Sequence, residues 1–146
     1  MTTPPRIVVG VDGSPASVDA LRWAAEQTEL TGGTLEAITS WEYPTQYGSQ
    51  LMYAENVNWA DLAQTTLATA ITDAGSSTLT SCTQTVTQGQ PAHVLVDASA
   101  GAELLVVGSR GHGGFAGLLL GSVSEYVIAH AACPVVVIRH PDPTPA

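Results

Sequence analysis

The sequence predicts an α/β domain, a doubly wound parallel sheet with helices on both faces, and three observations predict it. Short β-branched runs alternate with segments of helical periodicity through four strand–helix units and a closing fifth strand. The strands read as continuous apolar runs, as strands buried on both faces do. Glycine and proline punctuate nearly every boundary. A chain of 146 residues fits one domain, 1–146, able to bury a core without disulfide or metal support.

Arg6 to Val11 is the first strand, ending at Asp12-Gly13-Ser14-Pro15. Ser14 is placed to cap a helix with Pro15 at its first position, and Val18, Leu21, Ala25 and Thr28 then recur on one helical face. Gly32-Gly33 stops that helix, Leu35 to Trp41 is the second strand, and 42–56 is a long loop. Trp59, Leu62, Ala63, Thr66, Leu67 and Ala70 carry the apolar spacing of a second helix, closed by the Ala-Gly-Ser-Ser of 74–77. Thr83 to Thr87 is the third strand, and Gly89 and Pro91 introduce a helix with Val94, Leu95 and Ala98. Leu104 to Val107 is the fourth strand. A glycine-rich loop, a helix over 122–131, Pro134 and the strand Val135 to Arg139 follow, and the tail 141–146 is expected to be disordered.

Composition narrows the function. Thirteen acidic residues face four basic ones, all of them arginine, for a formal charge of −9. Such a chain repels nucleic acid and anionic lipid, so neither is an expected partner. No apolar run approaches the ~20 residues of a membrane span, and residues 1–6 lack the pattern of a signal peptide, so a cytoplasmic location is expected. Cys82 and Cys133 are not at metal-ligand spacing and read as reduced, structural thiols. No protein-built metal site is expected.

In such sheets ligands sit beyond the carboxyl ends of the strands, where strand order reverses, and the loops after strands one and four are the unusual ones here. After strand four come Gly108, Ser109, Arg110, Gly111, His112, Gly113 and Gly114, then Gly117, with Gly121-Ser122-Val123-Ser124 opening the next helix. Glycine lets a ligand approach bare backbone amides, at a cost in folding entropy that a plain solvent loop has no reason to bear. The helix start adds free N–H groups and the positive end of its dipole, the Ser122 and Ser124 hydroxyls can donate to phosphate oxygens, and Arg110 adds a cation. This is how an acidic, lysine-free chain could hold a triphosphate, the alternative being a loop that is only mobile.

Other readings fail on the letters. A Walker A loop needs a lysine that the chain lacks. Gly111-x-Gly113-x-x-Ala116 follows the fourth strand and has no ribose-binding acid about 20 residues on, which argues against a dinucleotide fold. No Gly-x-Ser-x-Gly is present, and no His and acid are placed to activate Ser122. His93, His130 and His140 have no partner spacing; His112 lies inside the loop, to face a ligand or the solvent.

The spacing Gly108-x-x-Gly111, nine residues, Gly121-Ser122 resembles the ATP-binding signature of the universal stress protein family. The opening Ile7-Val8-Val9-Gly10-Val11-Asp12-Gly13-Ser14 and the close Cys133-Pro134-Val135-Val136-Val137-Ile138 resemble it too, so the likeness spans about residues 5 to 139. It implies a Rossmann-like five-stranded sheet of order 3-2-1-4-5, with the switch point between strands one and four. It places Gly10, Val11 and Asp12 beside adenine and ribose, although Asp12 could instead form the turn into the helix, and it has Thr39 offer backbone groups to the adenine edge. Gly108 to Gly114 would wrap ribose and phosphates, and Gly121, Ser122, Val123 and Ser124 would hold the outer phosphates with a Mg2+ ion that is itself mainly phosphate-bound. It further implies a homodimer through an edge strand, Val135, Val136, Val137 and Ile138. The function that follows is an ATP-binding stress or signalling module; a slow ATP hydrolase, a cyclic AMP-binding protein and a nucleotide-free scaffold are the alternatives.

Overall fold

The computed structural model describes residues 3–43, 57–111 and 120–141. His112, Gly113, Gly114, most of the expected long loop and the tail beyond 141 lie outside them. The elements run β1 (Arg6–Gly10), α1 (Pro15–Thr31), β2 (Thr34–Trp41), α2 (Trp59–Ala74), a 3-10 turn (Ser77–Ser81), β3 (Thr83–Gln88), α3 (Pro91–Ser99), β4 (Leu104–Gly108), α4 (Ser122–His130) and β5 (Val135–Ile138). All strand pairings are parallel, and the order is β3-β2-β1-β4-β5, as expected.

That order dictates which helix covers which face. From β1 the chain steps outward to β2 and β3 through α1 and α2, then returns through α3 to β4 on the other side of β1. Right-handed crossovers in opposite directions put their helices on opposite faces. Accordingly Leu21 and Ala24 of α1 and Leu67 and Ala70 of α2 pack on Ile7, Val9, Leu35 and Val106. Leu95 of α3 and Val127 of α4 pack on Val8, Ile38, Leu105 and Val107. Successive residues of one strand therefore enter different cores, which is why β1 and β4 carry no polar alternation. Each fully buried leucine contributes roughly 1.5–3 kcal/mol.

The expected helix signals hold at their ends. Ser14 caps α1, its hydroxyl accepting from the Ser17 amide at 3.3 Å with Pro15 just inside, and α1 and α2 end on Gly32 and Gly75 in the left-handed region, at φ 69° and 70°. One expected core residue is misplaced: Leu62 is exposed, and the buried face of α2 runs through Ala63, Leu67, Ala70 and Ala74. The 3-10 turn that buries Leu79 was not foreseen, because a serine- and threonine-rich segment reads as loop.

Candidate functional site

The loop after β1 builds one side of the site. The Ser14 amide donates to Asp12 Oδ1 at 2.9 Å, closing an Asx turn that sets the entry to α1. The Asp12 amide donates in turn to Ser17 Oγ at 3.3 Å, and the Ser17 hydroxyl donates to the Ser14 carbonyl at 3.0 Å. The turn-forming role of Asp12 is therefore real. It uses one carboxylate oxygen, and Oδ2 faces Gly111.

The loop after β4 builds the other side. Its chain is fixed by the backbone of Ser109, whose N–H donates to the Ile138 carbonyl at 2.7 Å and whose carbonyl accepts from the Gly121 amide at 2.7 Å. The Ser124 hydroxyl lies 2.9 Å from both the Ser109 and the Gly121 carbonyls. Helix α4 begins at Ser122 with Gly121 in the cap position, and no side chain caps it. The positive end of its dipole is thus left without the serine or aspartate that finishes most helices.

Three glycines make the approach possible. A Cβ on Gly108 would lie 2.8 Å from Ala16 Cβ and 2.9 Å from Ala16 C, so this residue admits the first turn of α1 against β4. On Gly10 it would meet Leu95 Cδ1 at 2.7 Å, and on Gly111 it would overlap Asp12 Oδ2. Gly121 is less tightly held, with Arg110 Cα the nearest atom at 3.4 Å.

Between the two loops lies a cavity of about 510 Å³ at the reversal of strand order, within the size range of small-molecule sites. Gly10, Val11, Val107 and Gly108 form its floor. Ile38 and Ser40 of β2 with Pro91, Val94 and Leu95 of α3 form an apolar wall interrupted by one hydroxyl. The opposite end is polar: Asp12, Ser14, Ser17, Arg110, Gly111 and the segment Gly121, Ser122, Val123, Ser124. Among the described lining residues, Asp12 and Arg110 carry the charges. No three His, Cys, Asp or Glu side chains among the described residues gather as metal ligands.

The cavity brings together the expected Gly10, Val11, Asp12, Gly108, Arg110, Gly111, Gly121, Ser122, Val123 and Ser124. The side chains of two expected residues do not line it, and for Thr39 the expectation concerned backbone groups. Thr39 is buried on the α1 side of the sheet, donating to the Val11 carbonyl at 2.9 Å, while Ile38 and Ser40 on either side of it line the cavity. Ser109 is buried and acts through its peptide, not as a lining residue. Ser124 lines the cavity, and within the protein its hydroxyl reaches the Ser109 and Gly121 carbonyls. The wall of Pro91, Val94 and Leu95 was missed. A helix that follows a parallel strand starts at the carboxyl end of the sheet, so the first turn of α3 could have been assigned to the ligand side from Gly89-x-Pro91.

A crevice at the switch point of a 3-2-1-4-5 sheet, lined by a glycine loop and an uncapped helix start, defines a phosphate-compatible α/β binding domain. The model of the universal stress protein family matches residues 4–139, and this chain belongs to that family. It is 37% identical over 146 aligned residues to universal stress protein Rv2623 of Mycobacterium tuberculosis and 35% identical to Rv2005c of the same organism. Each match covers 91% of this chain and 44% or 45% of the relative, so the chain spans about half the length of these relatives. The solved universal stress protein UspA from Lactobacillus plantarum superposes with TM-score 0.79 at 22% identity, over 95% of this chain and all of that one. Two further members have the same fold. A universal stress protein solved with cAMP gives TM-score 0.58 at 24% identity, over 94% of this chain and 98% of that one. One from Archaeoglobus fulgidus solved with dAMP gives 0.53 at 22%, over 94% and 99%. Among the described residues no helix is long and apolar enough to cross a membrane.

Proposed function

We propose that this chain binds ATP, with Mg2+, in the crevice between β1 and β4 and acts as a cytoplasmic stress-response or signalling module whose conformation or partner binding depends on the nucleotide. The observation that carries the reading is the two-ended cavity. One end is an apolar slot of base-like character, walled by Ile38, Val94, Leu95 and Val107; the other is an uncapped helix start flanked by Gly111 and Arg110. The residues fit a nucleotide of this kind. Adenine is a flat apolar body that suits the slot, and phosphates suit the amides of Ser122 and Val123, the hydroxyl of Ser122 and the cation of Arg110. His112, Gly113 and Gly114 are proposed to complete the wrap around ribose and phosphates.

Asp12 is the ribose-side residue of this reading, its free Oδ2 available as an acceptor. A Mg2+ ion would be held by phosphate oxygens and water, with Asp12 the nearest carboxylate among the described lining residues. Binding of a close adenine nucleotide by two relatives of the same fold supports the base assignment. The cyclic AMP in one of them keeps a cyclic nucleotide as the second reading. Hydrolysis would call for a residue that orients water and cations that stabilise the leaving charge, and Arg110 and His112 are the candidates for these roles.

The deciding experiment is calorimetric titration with ATP, ADP, AMP and cyclic AMP, with and without Mg2+, followed by a phosphate-release assay. ATP·Mg is expected to bind most tightly with slow or no turnover; no heat with any of the four sinks the reading. We further propose a homodimer through β5. It is a short edge strand whose residues Val135, Val136, Val137 and Ile138 are all half-exposed, which invites pairing with a second copy. Sedimentation at tens of micromolar should give the mass of two chains.

A further inference from the structure

Around Ser109 the hydrogen bonds converge from two elements, β5 and the start of α4. Its N–H reaches the last carbonyl of β5, Ile138 O, at 2.7 Å, and its carbonyl takes the Gly121 amide at 2.7 Å and shares the Ser124 hydroxyl at 2.9 Å. Both lone pairs of that carbonyl are thus directed at the first turn of α4, while the N–H of the same residue, one peptide group earlier across its Cα, is committed to the edge strand. The Ser109 side chain is buried and is not among the residues lining the cavity between the two loops. Ser124, equally buried, spends its proton inward on this carbonyl or on that of Gly121.

From this we infer that Ser124 is a positioning residue which, through the Ser109 carbonyl, couples the start of α4 to strand β5, so that occupation of the helix start is felt at the edge of the sheet. The physical basis is geometric. The first turn of α4 lines the cavity and β5 does not, yet one residue is bonded to both. An anion drawn to the helix start holds Gly121 and Ser122 in place. That fixes the two donors on the Ser109 carbonyl and narrows the motion of its amide against Ile138. The inference rests on the nucleotide reading for the identity of the anion, but the coupling itself belongs to the ligand-free protein.

Residue-resolved amide exchange by NMR tests it in two arms. Without ligand, Ser124→Ala is expected to speed exchange about fivefold or more at Ser109 and along β5 relative to the buried amides of β1, a local opening and not a global one. Ser124→Thr, which keeps the hydroxyl, should restore slow exchange, and Ser124→Cys, a weaker donor of similar size, should fall between, so the series survives the loss of any one variant. With saturating ATP·Mg, wild type should show slowed exchange at Ser109 and β5, and Ser124→Ala should show slowing confined to α4. Acceleration confined to α4 in the free variant, or spread evenly over β1 and β5, overturns the coupling. So does ATP-dependent slowing of β5 that persists undiminished in Ser124→Ala. Absence of binding heat on the same samples overturns the nucleotide reading instead, and the ligand-free arm still decides the coupling.

Discussion

The carboxylate of Asp12 occupies the space that a side chain at position 111 would need. A Cβ built on Gly111 overlaps Asp12 Oδ2, while Oδ1 of the same group accepts from the Ser14 amide at 2.9 Å. Gly111 does not have positive φ, so this glycine answers a contact and not a backbone strain. Two loops separated by some hundred residues of chain are thereby fitted to each other at one carboxylate.

Gly111→Ala is therefore expected to push the Asp12 carboxylate aside and weaken the Asx turn, at a cost of about 1 kcal/mol in stability, the worth of one hydrogen bond. In an Asp12→Ala background the same substitution should cost much less, because the overlap is gone. Chemical denaturation of the two single variants and the double variant measures this coupling. Additive costs would show that the contact does not hold the loops together.

The glycines at the sheet floor should rank by what a methyl group meets. At Gly108 it meets backbone, Ala16 C at 2.9 Å and Ser17 N at 3.0 Å, and neither can move without shifting α1. At Gly10 it meets the end of the Leu95 side chain, which can turn. Gly108→Ala should then lose about 2–3 kcal/mol, as overpacking does, and Gly10→Ala about half of that. Truncating Leu95 to Ala leaves room for the methyl group, so Gly10→Ala should be nearly neutral when added to Leu95→Ala. Thermal denaturation of the four proteins checks the order.

The contrast between Thr39 and its neighbours shows where sequence reading ends. Strand β2 was legible from its β-branched run, and so was its place in a parallel sheet. Which residues face the ligand was not, because both faces of β2 are buried and Leu35, Ala37 and Ile38 look alike to either core. A shift of one residue exchanges every side chain between faces, so the letters do not say which of Thr39 and Ser40 turns its side chain to the cavity. Asp12 and Gly108 were legible for a different reason: the turn into a helix and a close backbone approach demand particular residue types, so the letters carry the geometry. Leu62 was misread because apolar spacing marks a helical face without fixing its outer margin. The role of Ser124 could not be read at all, since a hydroxyl in the first turn of a helix serves a ligand or a carbonyl equally well until the partner is known.

Both cysteines are free, and burial pushes each thiol above its ordinary pKa; for Cys133 the nearby Arg6 partly opposes this and Glu103 adds to it. A raised thiol pKa means that the folded chain holds its protons where the unfolded chain begins to lose them. The resulting stability is complete below the unfolded value and is lost as pH rises through the folded one. Two outcomes are expected. Iodoacetamide should label both thiols more slowly than it labels the denatured chain at pH 8, with rates still climbing above the ordinary thiol range. Stability should decline slightly on the alkaline side, and a Cys82→Ser, Cys133→Ser protein should lose that part of the decline.

Position 121 separates the demands of folding from those of the site. Its backbone is extended, at φ −80° and ψ 168°, so any residue can adopt it. A Cβ there meets Arg110 Cα at 3.4 Å and Gly111 N at 3.6 Å, ordinary contact distances. Gly121→Ala should accordingly fold with a stability change within about 0.5 kcal/mol, and keep ATP affinity within about threefold, about 0.65 kcal/mol. Gly121→Glu should also fold, but it carries a carboxylate into the mouth of the helix start, where the charge competes with phosphate for the same amides and dipole. ATP affinity in calorimetry is expected to fall by about a hundredfold or more, roughly 2.7 kcal/mol or above, while thermal denaturation and sedimentation match wild type. Adenosine, which has no phosphate, should lose far less, because the slot formed by Ile38, Val94 and Leu95 is untouched. Equal losses for ATP and adenosine would mean that the substitution closes the cavity as a whole, and an unchanged ATP affinity would place the phosphates away from α4.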